Sequence, residues 1–362
     1  MKPALPENSP ARFQQPGEVI AGKYRVERLL GVGGMGVVVA ASHLGLGQPV
    51  AVKLMLPDLA RSAEFSSRFL REARAAAAIR GDHAVRVFDV ATAEDGTLYM
   101  VMELLVGEDL GQLLAKRGTL PIEEAVDYLL QACDALADAH AQGIVHRDLK
   151  PGNLFLARRD KGSPVLKVLD FGISKWSTLE GAQSGPTLTT PESVLGTPYY
   201  MSPEQLRNAK SVDARTDIWS LGLILHKLLT GFSAFESDSV GEHFSMIAAD
   251  PPAPLRLRHP AAPEALEAIV LRCLEKDASR RFQDVGQLAT ALAPFASARF
   301  QLDHGAESLG ADGVPPRRLA SSVPDEATTD SCRRTPRRQS RSAARRSRTT
   351  SSASLLPWCQ EQ

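Results

Sequence analysis

The chain has few cysteines and no long hydrophobic run. Its four cysteines, Cys133, Cys273, Cys332 and Cys359, lie far apart among 362 residues. None of them forms a CxxC pair or joins histidines at the spacing of a zinc site, so the pattern favours neither a disulfide framework nor a structural zinc. No stretch approaches the roughly 20 consecutive apolar residues that cross a bilayer. The sequence therefore predicts a protein without a membrane span, in a reducing compartment.

The chain also lacks a net charge, because 42 Lys and Arg balance 42 Asp and Glu. The balance hides an asymmetry, since from Ser297 onward there are 11 basic residues against 7 acidic ones. The first residues, MKPALPENSPARFQQPGE, carry one early lysine with no apolar stretch behind it, which is not the pattern of a signal peptide. We therefore expect a soluble, cytoplasmic protein with a slightly acidic body and a basic tail.

Sequence patterns divide the chain into segments. Residues 1–19 are rich in proline and polar residues, which predicts disorder. Residues 20–104 hold five strand-like runs (YRVERLL, GVVVAASH, PVAVKLML, AVRVFDVATA and TLYMVMELL) and one predicted helix, EFSSRFLREARAAAAI. Helical periodicity dominates residues 105–296, and residues 297–362 are predicted to be disordered. A β-rich lobe followed by a larger helical lobe predicts a ligand site in the cleft between them.

The stretch LLGVGGMGVV contains a glycine-rich loop. Gly31, Gly33 and Gly36 have the spacing G-x-G-x-x-G, and their backbone could fold tightly over phosphates and offer N–H donors. The spacing alone is a weak signal, because dinucleotide-binding folds share it. Here a strand follows where a dinucleotide-binding fold requires a helix. A glycine hairpin without a ligand remains the alternative for this segment taken alone.

Two charged residues follow the glycine loop at informative positions. Lys53 ends the strand-like VAVK, 22 residues after Gly31, and Glu72 lies in the middle of the predicted helix. A strand lysine facing a cleft can hold phosphate oxygens, and a helix carboxylate can fix its ammonium group. Taken singly, each would be a surface charge, so their order along the chain carries the prediction.

The stretch HRDLKPGN concentrates an acid, cations and an amide in eight positions. Asp148 is suited to accept a hydroxyl proton, Lys150 to steady a transferring phosphoryl group, and Asn153 to ligate a metal. Asp170 in LDFG adds a carboxylate suited to Mg²⁺. Acids that hold metal and cations that hold phosphate, placed together, indicate phosphoryl transfer.

A series of motifs in order resembles the eukaryotic-like (Hanks-type) Ser/Thr protein kinases, and is most similar to their bacterial members. The series is GVGGMG, VAVK, FLREA, HRDLKPGN, DFG, GTPYYMSPEQ and DIWSLG, and the resemblance covers about residues 20–295. It implies an α+β bilobal protein-kinase-like fold at residues 20–296, with a small antiparallel β-sheet N-lobe, one main helix and a larger helical C-lobe. It also implies transfer of the γ-phosphate of ATP, with Mg²⁺ or Mn²⁺, to Ser and Thr hydroxyls of protein substrates.

The resemblance implies a role for each matching residue. Lys53 would hold the α- and β-phosphates with Glu72 as its partner, Asp148 would be the catalytic base, and Lys150 would contact the γ-phosphate. The implied metal ligands are Asn153 and Asp170. Further nucleotide contacts are implied for the glycine loop, namely Leu30, Gly31, Val32, Gly33, Gly34, Met35, Gly36, Val37 and Val38.

The strand YMVMELL is the implied adenine site. Met102 matches the residue that limits the back of the pocket, while Glu103 and Leu105 would offer backbone hydrogen bonds to the adenine. Its side chains can equally belong to an ordinary apolar core strand, because the implied contacts use the backbone alone.

Three residues match structural positions of the family. In SPE, which stands where the family usually has Ala-Pro-Glu, Glu204 resembles the buried acid that pairs with a late arginine. Arg281 is the better match for that arginine, with the adjacent Arg280 as the alternative. Asp217 in DIWSLG resembles the helix acid that braces the catalytic-loop backbone.

The segment between DFG and SPE is polar and rich in hydroxyls, as is typical of a mobile activation loop. Lys150 together with Thr197 matches the Ser/Thr-specific pattern, and Arg147 matches kinases whose loop is ordered by a phosphate. The predicted autophosphorylation sites are Thr189 or Thr190, followed by Thr187 and Ser193. Transfer between two copies would require self-association.

The basic tail has an unusual composition. RRTPRRQSRSAARRSR holds eight arginines in sixteen residues without an acid. It is predicted to be a solvated, disordered segment, to dock an acidic partner or an anionic surface, or to be phosphorylated by the chain itself. A tail read out of frame from GC-rich coding sequence would have the same composition. The alternative function is a catalytically idle ATP-binding scaffold that acts through this tail.

Overall fold

Two β-sheets and ten α-helices can be traced along the described part of the chain. A computed structural model describes residues 15–33, 36–56, 63–159, 163–171, 198–208 and 212–305. All of them belong to one unit that spans Met1–Gly310, and the second unit, Ala311–Gln362, lies wholly outside the described residues. Nearly all of the predicted disordered segments, at 1–14 and 306–362, therefore falls outside these ranges as well.

The N-lobe is an antiparallel sheet with one helix. Its strands run in the order β1-β2-β3-β4-β6-β5, and all neighbouring pairs are antiparallel. The elements are β1 (Val19–Ile20), β2 (Tyr24–Gly33), β3 (Gly36–His43), β4 (Pro49–Met55), α1 (Ala63–Ala78), β5 (Val87–Thr92) and β6 (Leu98–Glu103). The five predicted strands and the predicted helix are confirmed. Strand β1, with two residues, is too short to give a sequence signal.

Helix α1 packs one apolar face on the sheet. The helical period of the sequence places Phe65, Phe69, Ala73 and Ala76 on one face, and Phe69, Ala73 and Ala76 are buried. The side chain of Phe65 falls outside the described part of the structure. Phe69 and Ala73 share an apolar cluster with Met100 of β6, so burial of this stripe fixes the helix against the sheet. Glu72 lies on the same helix, and its side chain falls outside the described part of the structure.

The C-lobe is built around two central helices. Its helices are α2 (Leu110–Arg117), α3 (Ile122–Ala141), α4 (Pro203–Asn208), α5 (Arg215–Thr230), α6 (Val240–Ala249), α7 (Leu255–Arg258), α8 (Glu264–Cys273), α9 (Val285–Leu292) and α10 (Ala298–Gly305). The helical periodicity predicted for residues 105–296 is confirmed by these helices. Nearly every residue of α5 is buried, which makes this helix the centre of the lobe. The bilobal α+β prediction is confirmed.

A second, three-stranded sheet brings residues of the site together, and it was not predicted from the sequence. Its strands β7 (Gly107–Asp109), β8 (Leu154–Ala157) and β9 (Val165–Val168) pair antiparallel in that order. Runs of three or four residues are too short to display the two-residue period of a strand. Strand β8 begins directly after Asn153 and β9 ends two residues before Asp170, so the hairpin brings both ends of the site together.

Helix α10 lies beyond the predicted domain end at residue 296. Its N-terminus is attached to α3, because Asp127 accepts hydrogen bonds from the Ser297 backbone N–H at 2.9 Å and from the Ser297 hydroxyl at 2.6 Å. The Ser297 hydroxyl also accepts from the N–H of Phe300 and so caps α10. The helical region therefore extends to Gly305, where polar composition alone predicts a disordered tail.

None of the described helices combines the length and the apolar character that a membrane crossing needs.

Candidate active site

A salt bridge joins the two lobes at the cleft. The Lys53 ammonium on β4 lies 2.6 Å from a carboxylate oxygen of Asp170. Burial raises the pKa of Asp170, but the adjacent Lys53 charge, together with His146 and Lys150, lowers it by more, so the pKa lies below its ordinary value. The carboxylate therefore stays ionised. Two residues 117 positions apart in the sequence are thus brought into direct contact.

The catalytic-loop stretch folds so that its acid, amide and cation converge. The Asn153 amide nitrogen donates to the backbone carbonyl of Asp148 at 2.7 Å and lies 3.3 Å from a carboxylate oxygen of the same residue. The Lys150 ammonium lies 3.4 Å from that carboxylate. The Leu169 N–H donates to the Asn153 carbonyl at 2.9 Å, which places Asn153 beside Asp170.

His146 connects the loop to the segment of Asp170. Its Nε2 lies 2.8 Å from the carbonyl oxygen of Leu169, and its Nδ1 lies 3.2 Å from the N–H of Asp148. A carbonyl can only accept and an N–H can only donate, so Nε2 carries the proton and Nδ1 accepts. The backbone on both sides is constrained, with positive φ angles at Arg147 (62°) and Asp170 (51°).

Asp217 holds the backbone of the catalytic loop from beneath. Its carboxylate is fully buried on α5 and accepts the N–H groups of His146 at 2.9 Å and Arg147 at 2.8 Å. A third partner is His140, whose Nε2 lies 2.8 Å from the same carboxylate. Sequence reasoning did not single out His140, because a histidine in the last turn of a helix has no distinctive pattern.

Strand β6 leads into the connection between the two lobes. Glu103 ends β6, and its carboxylate accepts from the Lys167 ammonium at 2.8 Å and from the Arg86 N–H at 2.8 Å. The Glu103 side chain is therefore turned to the side of these partners and fixes the connection. The backbone N–H of Leu105, which is predicted to donate a hydrogen bond to adenine, has no hydrogen-bond acceptor among the described residues.

An apolar cluster adjoins the salt bridge. Ala51 shares a face of β4 with Lys53, and Leu169 immediately precedes Asp170. The members of this cluster include Val38, Ala51, Met102, Leu104, Leu105 and Leu169. Val37 lies on the opposite face of β3, 1% exposed in the other N-lobe cluster. Its side chain is therefore turned away from the cleft, so only the backbone of Val37 could make the predicted contact with the nucleotide.

The described part of the glycine loop belongs to β2 and β3, which pair antiparallel up to Gly33 and Gly36. A Cβ at Gly31 or Gly33 would meet nothing within 4 Å, so the space beside these residues is open. At Gly36 a Cβ would lie 1.9 Å from the Leu54 carbonyl oxygen, so only glycine lets β3 approach β4 here. The exposed side chains of Leu30 and Val32 flank the open glycines.

A buried ion pair anchors the SPE segment. The Arg281 guanidinium, 0% exposed in its side chain, donates to both carboxylate oxygens of Glu204, at 2.7 and 2.8 Å. Burial raises the pKa of Glu204, but the hydrogen bonds and charge of Arg281 lower it by more, so it lies below its ordinary value. Arg280 instead lies 3.4 Å from Glu275. The structure therefore pairs Glu204 with Arg281.

Several predicted residues lie outside the described residues. They are Gly34 and Met35 of the glycine loop, Thr197 of GTPYY, and the predicted phosphorylation sites Thr187, Thr189, Thr190 and Ser193.

The bilobal fold and this cleft define the class of protein. A model of the protein kinase domain matches residues 24–291. The chain is 42% identical over 267 residues to serine/threonine-protein kinase pkn3 of Myxococcus xanthus, covering 73% of this chain and 48% of that protein. It is 38% identical over 273 residues to PknB of Mycolicibacterium smegmatis, covering 74% and 42%. The chain thus spans less than half the length of these curated relatives.

Solved structures agree with the sequence relatives. The kinase domain of Mycobacterium tuberculosis PknI superposes with a TM-score of 0.61 at 28% identity, covering 78% of this chain and 99% of that one. The chain belongs to the protein kinase family.

Proposed function

We propose that this chain transfers the γ-phosphate of ATP to serine and threonine hydroxyls of proteins. The observation that carries the proposal is the 2.6 Å contact of Lys53 with Asp170, beside the group formed by Asp148, Lys150 and Asn153. Phosphoryl transfer requires positioning and charge neutralisation more than covalent chemistry. The relatives named serine/threonine-protein kinases support hydroxyl acceptors of this kind.

The residues of the cleft fit ATP. Open space beside Gly31 and Gly33 leaves room for phosphates close to the backbone, and Lys53 supplies a cation at the same end. The apolar side chains of Ala51 and Met102 suit the flat faces of adenine. The N–H of Leu105 and the carbonyl of Glu103 are the proposed hydrogen-bonding groups for its edge.

The residues also fit Mg²⁺, with Mn²⁺ as an alternative. Asp170 supplies an ionised carboxylate and Asn153 an amide oxygen, which are hard oxygen donors. Two protein ligands match a metal whose remaining positions are filled by nucleotide oxygens and water. When bound, the metal would neutralise phosphate charge. In this structure the Lys53 ammonium contacts Asp170. With ATP bound, the ammonium would contact both Asp170 and the phosphates.

Asp148 is the proposed base, and Lys150 the proposed γ-phosphate contact. The Asn153 amide and the His146 ring hold the Asp148 backbone on both sides, through its carbonyl and its N–H. A carboxylate held this way can accept the proton of a substrate hydroxyl as the oxygen attacks phosphorus. Lys150, 3.4 Å from this carboxylate, is placed to offset the negative charge of the transferring group.

Transfer of labelled phosphate from ATP tests the proposal. With Mg²⁺ and a basic protein substrate, wild type should label the substrate and itself on Ser or Thr. Lys53→Met should lower the rate about 100-fold, because one cation on the phosphates is lost. The matched control is Lys116→Met, which removes a lysine 66% exposed and paired with Glu108, and should retain full activity.

Failure of wild type to label any protein while it still binds ATP would overturn the transferase proposal and support the idle scaffold. Equal rates for Lys53→Met and Lys116→Met would contradict the assignment of Lys53. The same assay, repeated over protein concentration, shows whether labelling occurs between copies and so requires self-association. A cytoplasmic location, protein substrates, and an acidic partner or anionic surface for the tail are part of the proposal.

Phosphorylation of the segment before SPE is proposed as the activating step. A phosphothreonine adds about −1.5 to −2 charges and can pair with arginine, and Arg147 directly before Asp148 is the proposed partner. Replacing both Thr189 and Thr190 with Ala should lower the rate of substrate labelling about tenfold. Mass spectrometry of the wild type should find phosphate at one of the two. Unchanged activity of the double variant would contradict the prediction.

A further inference from the structure

Gln205 joins the segment that contains SPE to the catalytic loop. It lies in the first turn of α4 and is 8% exposed. Its amide nitrogen donates to the Arg147 carbonyl at 2.8 Å, and its amide oxygen accepts from the Ser202 N–H at 3.0 Å. Because Ser202 N–H can only donate and the carbonyl can only accept, the amide has one orientation that satisfies both.

The residue that Gln205 contacts is strained. Arg147 has a φ of 62°, in the left-handed region that disfavours any residue other than glycine. Its N–H donates to Asp217 on α5, and its carbonyl accepts from Gln205 on α4. Two elements therefore hold the two ends of one residue. Rotation of the peptide between Arg147 and Asp148 would displace the proposed base.

The segment of Gln205 is in turn bound to α5 through buried hydroxyls. The Ser202 hydroxyl bonds that of Thr216, and the Ser220 hydroxyl donates to the Tyr200 carbonyl at 2.9 Å. Ser202 and Thr216 are fully buried and Ser220 is 2% exposed, so these bonds are shielded from water. The segment, the helix and the loop form one polar network.

We propose that Gln205 is a positioning residue, which sets the orientation of Asp148 by holding the Arg147 carbonyl. The proposal rests on the proposed kinase function and adds a residue to it. Through Gln205, the position of the SPE segment constrains the orientation of the proposed base. Loss of the amide donor should therefore lower kcat and leave KM for ATP nearly unchanged.

Two substitutions distinguish the effect of the Gln205 amide donor from the effect of packing of its side chain. Gln205→Met keeps the volume and removes both hydrogen bonds. Gln205→Glu keeps the acceptor for Ser202 and removes the donor, except when its carboxyl is protonated. For Gln205→Met we expect kcat about tenfold lower, with KM for ATP within about twofold. The matched control is Gln131→Glu, since Gln131 accepts from Leu166 N–H at 2.9 Å and donates to the Asp127 carbonyl, away from the loop.

A pH series gives a readout that lost packing would not move. A carboxyl buried against a carbonyl has a raised pKa, so part of it is protonated near neutrality and can donate. From about pH 8 to about pH 6, the kcat deficit of Gln205→Glu relative to wild type should shrink about fivefold. The deficit of Gln205→Met should stay constant. The charged groups nearby, Arg147, Asp217 and the Glu204–Arg281 pair, are common to both variants, so a pH effect seen only in Gln205→Glu comes from the introduced carboxyl.

The outcomes are distinguishable. An inactive wild type overturns the kinase function itself. With an active wild type, kcat of both Gln205 variants equal to that of Gln131→Glu overturns the positioning role. A deficit in Gln205→Glu that does not change with pH also overturns it. Melting temperatures of all three variants identify any that fail to fold, and a folded Gln205→Met with reduced kcat supports the proposal.

Discussion

Asp148→Asn should lower the rate of phosphate transfer about 1,000-fold. The substitution changes one oxygen to nitrogen and leaves the backbone carbonyl that accepts from Asn153, so the loop keeps its main support. What disappears is the carboxylate that is proposed to accept the hydroxyl proton, together with its contact to Lys150 at 3.4 Å. Loss of a general base costs between about 100-fold and 10,000-fold in known cases, and an amide cannot replace it.

The measurement is single-turnover transfer of labelled phosphate, together with ATP binding by a fluorescent nucleotide. ATP affinity of Asp148→Asn should stay within about threefold of wild type, because the proposed adenine and phosphate contacts are unchanged. Asp138→Asn, which neutralises an exposed carboxylate on α3, is the control and should be fully active. Transfer by Asp148→Asn at the wild-type rate would refute the base assignment while leaving the kinase fold intact.

Glu204→Gln should destabilise the fold by about 3 kcal/mol. The Arg281 guanidinium is 0% exposed in its side chain and stacks over the Trp219 ring at 5.0 Å, so it cannot reach water when its counter-charge is removed. Breaking a buried pair by removing one partner costs about 3 to 5 kcal/mol. The glutamine oxygen still accepts one hydrogen bond, which places the expected loss at the lower end.

The chain offers a matched control for this prediction. Arg117 and Glu124 make the same two-bond contact, also at 2.7 and 2.8 Å. The two glutamates are similarly exposed, 28% for Glu124 and 26% for Glu204, but the Arg117 side chain is 41% exposed whereas that of Arg281 is 0% exposed. Glu124→Gln should therefore cost only about 0.5 kcal/mol, because solvent screens the pair. Urea unfolding of the wild type and both variants, monitored by tryptophan fluorescence, gives the loss of unfolding free energy in each variant. Equal losses would show that burial does not set the contribution of the Glu204 pair.

The contribution of Glu204 should also depend on pH. Its folded-state pKa is lower than its unfolded-state pKa, so the stabilisation is fully present above the unfolded value and is lost as pH falls through the folded value. The difference in stability between wild type and Glu204→Gln should therefore be constant near neutrality and shrink below about pH 4.5. A difference that grew on acidification would contradict this sign.

The N-lobe could be predicted well because its signals are local. Valine-rich runs of seven or eight residues, and a helix with Phe69, Ala73 and Ala76 on one face, show in their own sequence which side chains are buried. The short strands β7, β8 and β9 gave no such signal, because each is held by its neighbours and not by a pattern of its own. Helix α10 was missed for a similar reason, since its attachment depends on Asp127, 170 positions away from Ser297.

Some residues of the candidate site could also be predicted from the sequence, and others could not. Lys53, Asp148, Asn153 and Asp170 stand out by residue type and order, and the family resemblance names them. His140 and Gln205 do not stand out, because a helix-end histidine and a lone glutamine are ordinary surface residues in most sequences. Their roles depend on Asp217 and on the Arg147 carbonyl, which are distant in sequence and adjacent in space.

The amino-acid sequence by itself determined the class of fold, the two lobes and the residue types that suit phosphoryl transfer, because these depend on periodicity and on motifs within a few residues of each other. The tertiary structure alone decided the contact of Lys53 with Asp170 and that of Gln205 with the Arg147 carbonyl. It also confirmed Arg281, the better match by resemblance, over Arg280 as the partner of Glu204. Those pairings form only when packing of the two sheets and the central helix α5 brings distant segments within hydrogen-bond distance. A hydrogen bond is lost within about 1 Å of displacement, whereas a periodic pattern constrains position only to a face.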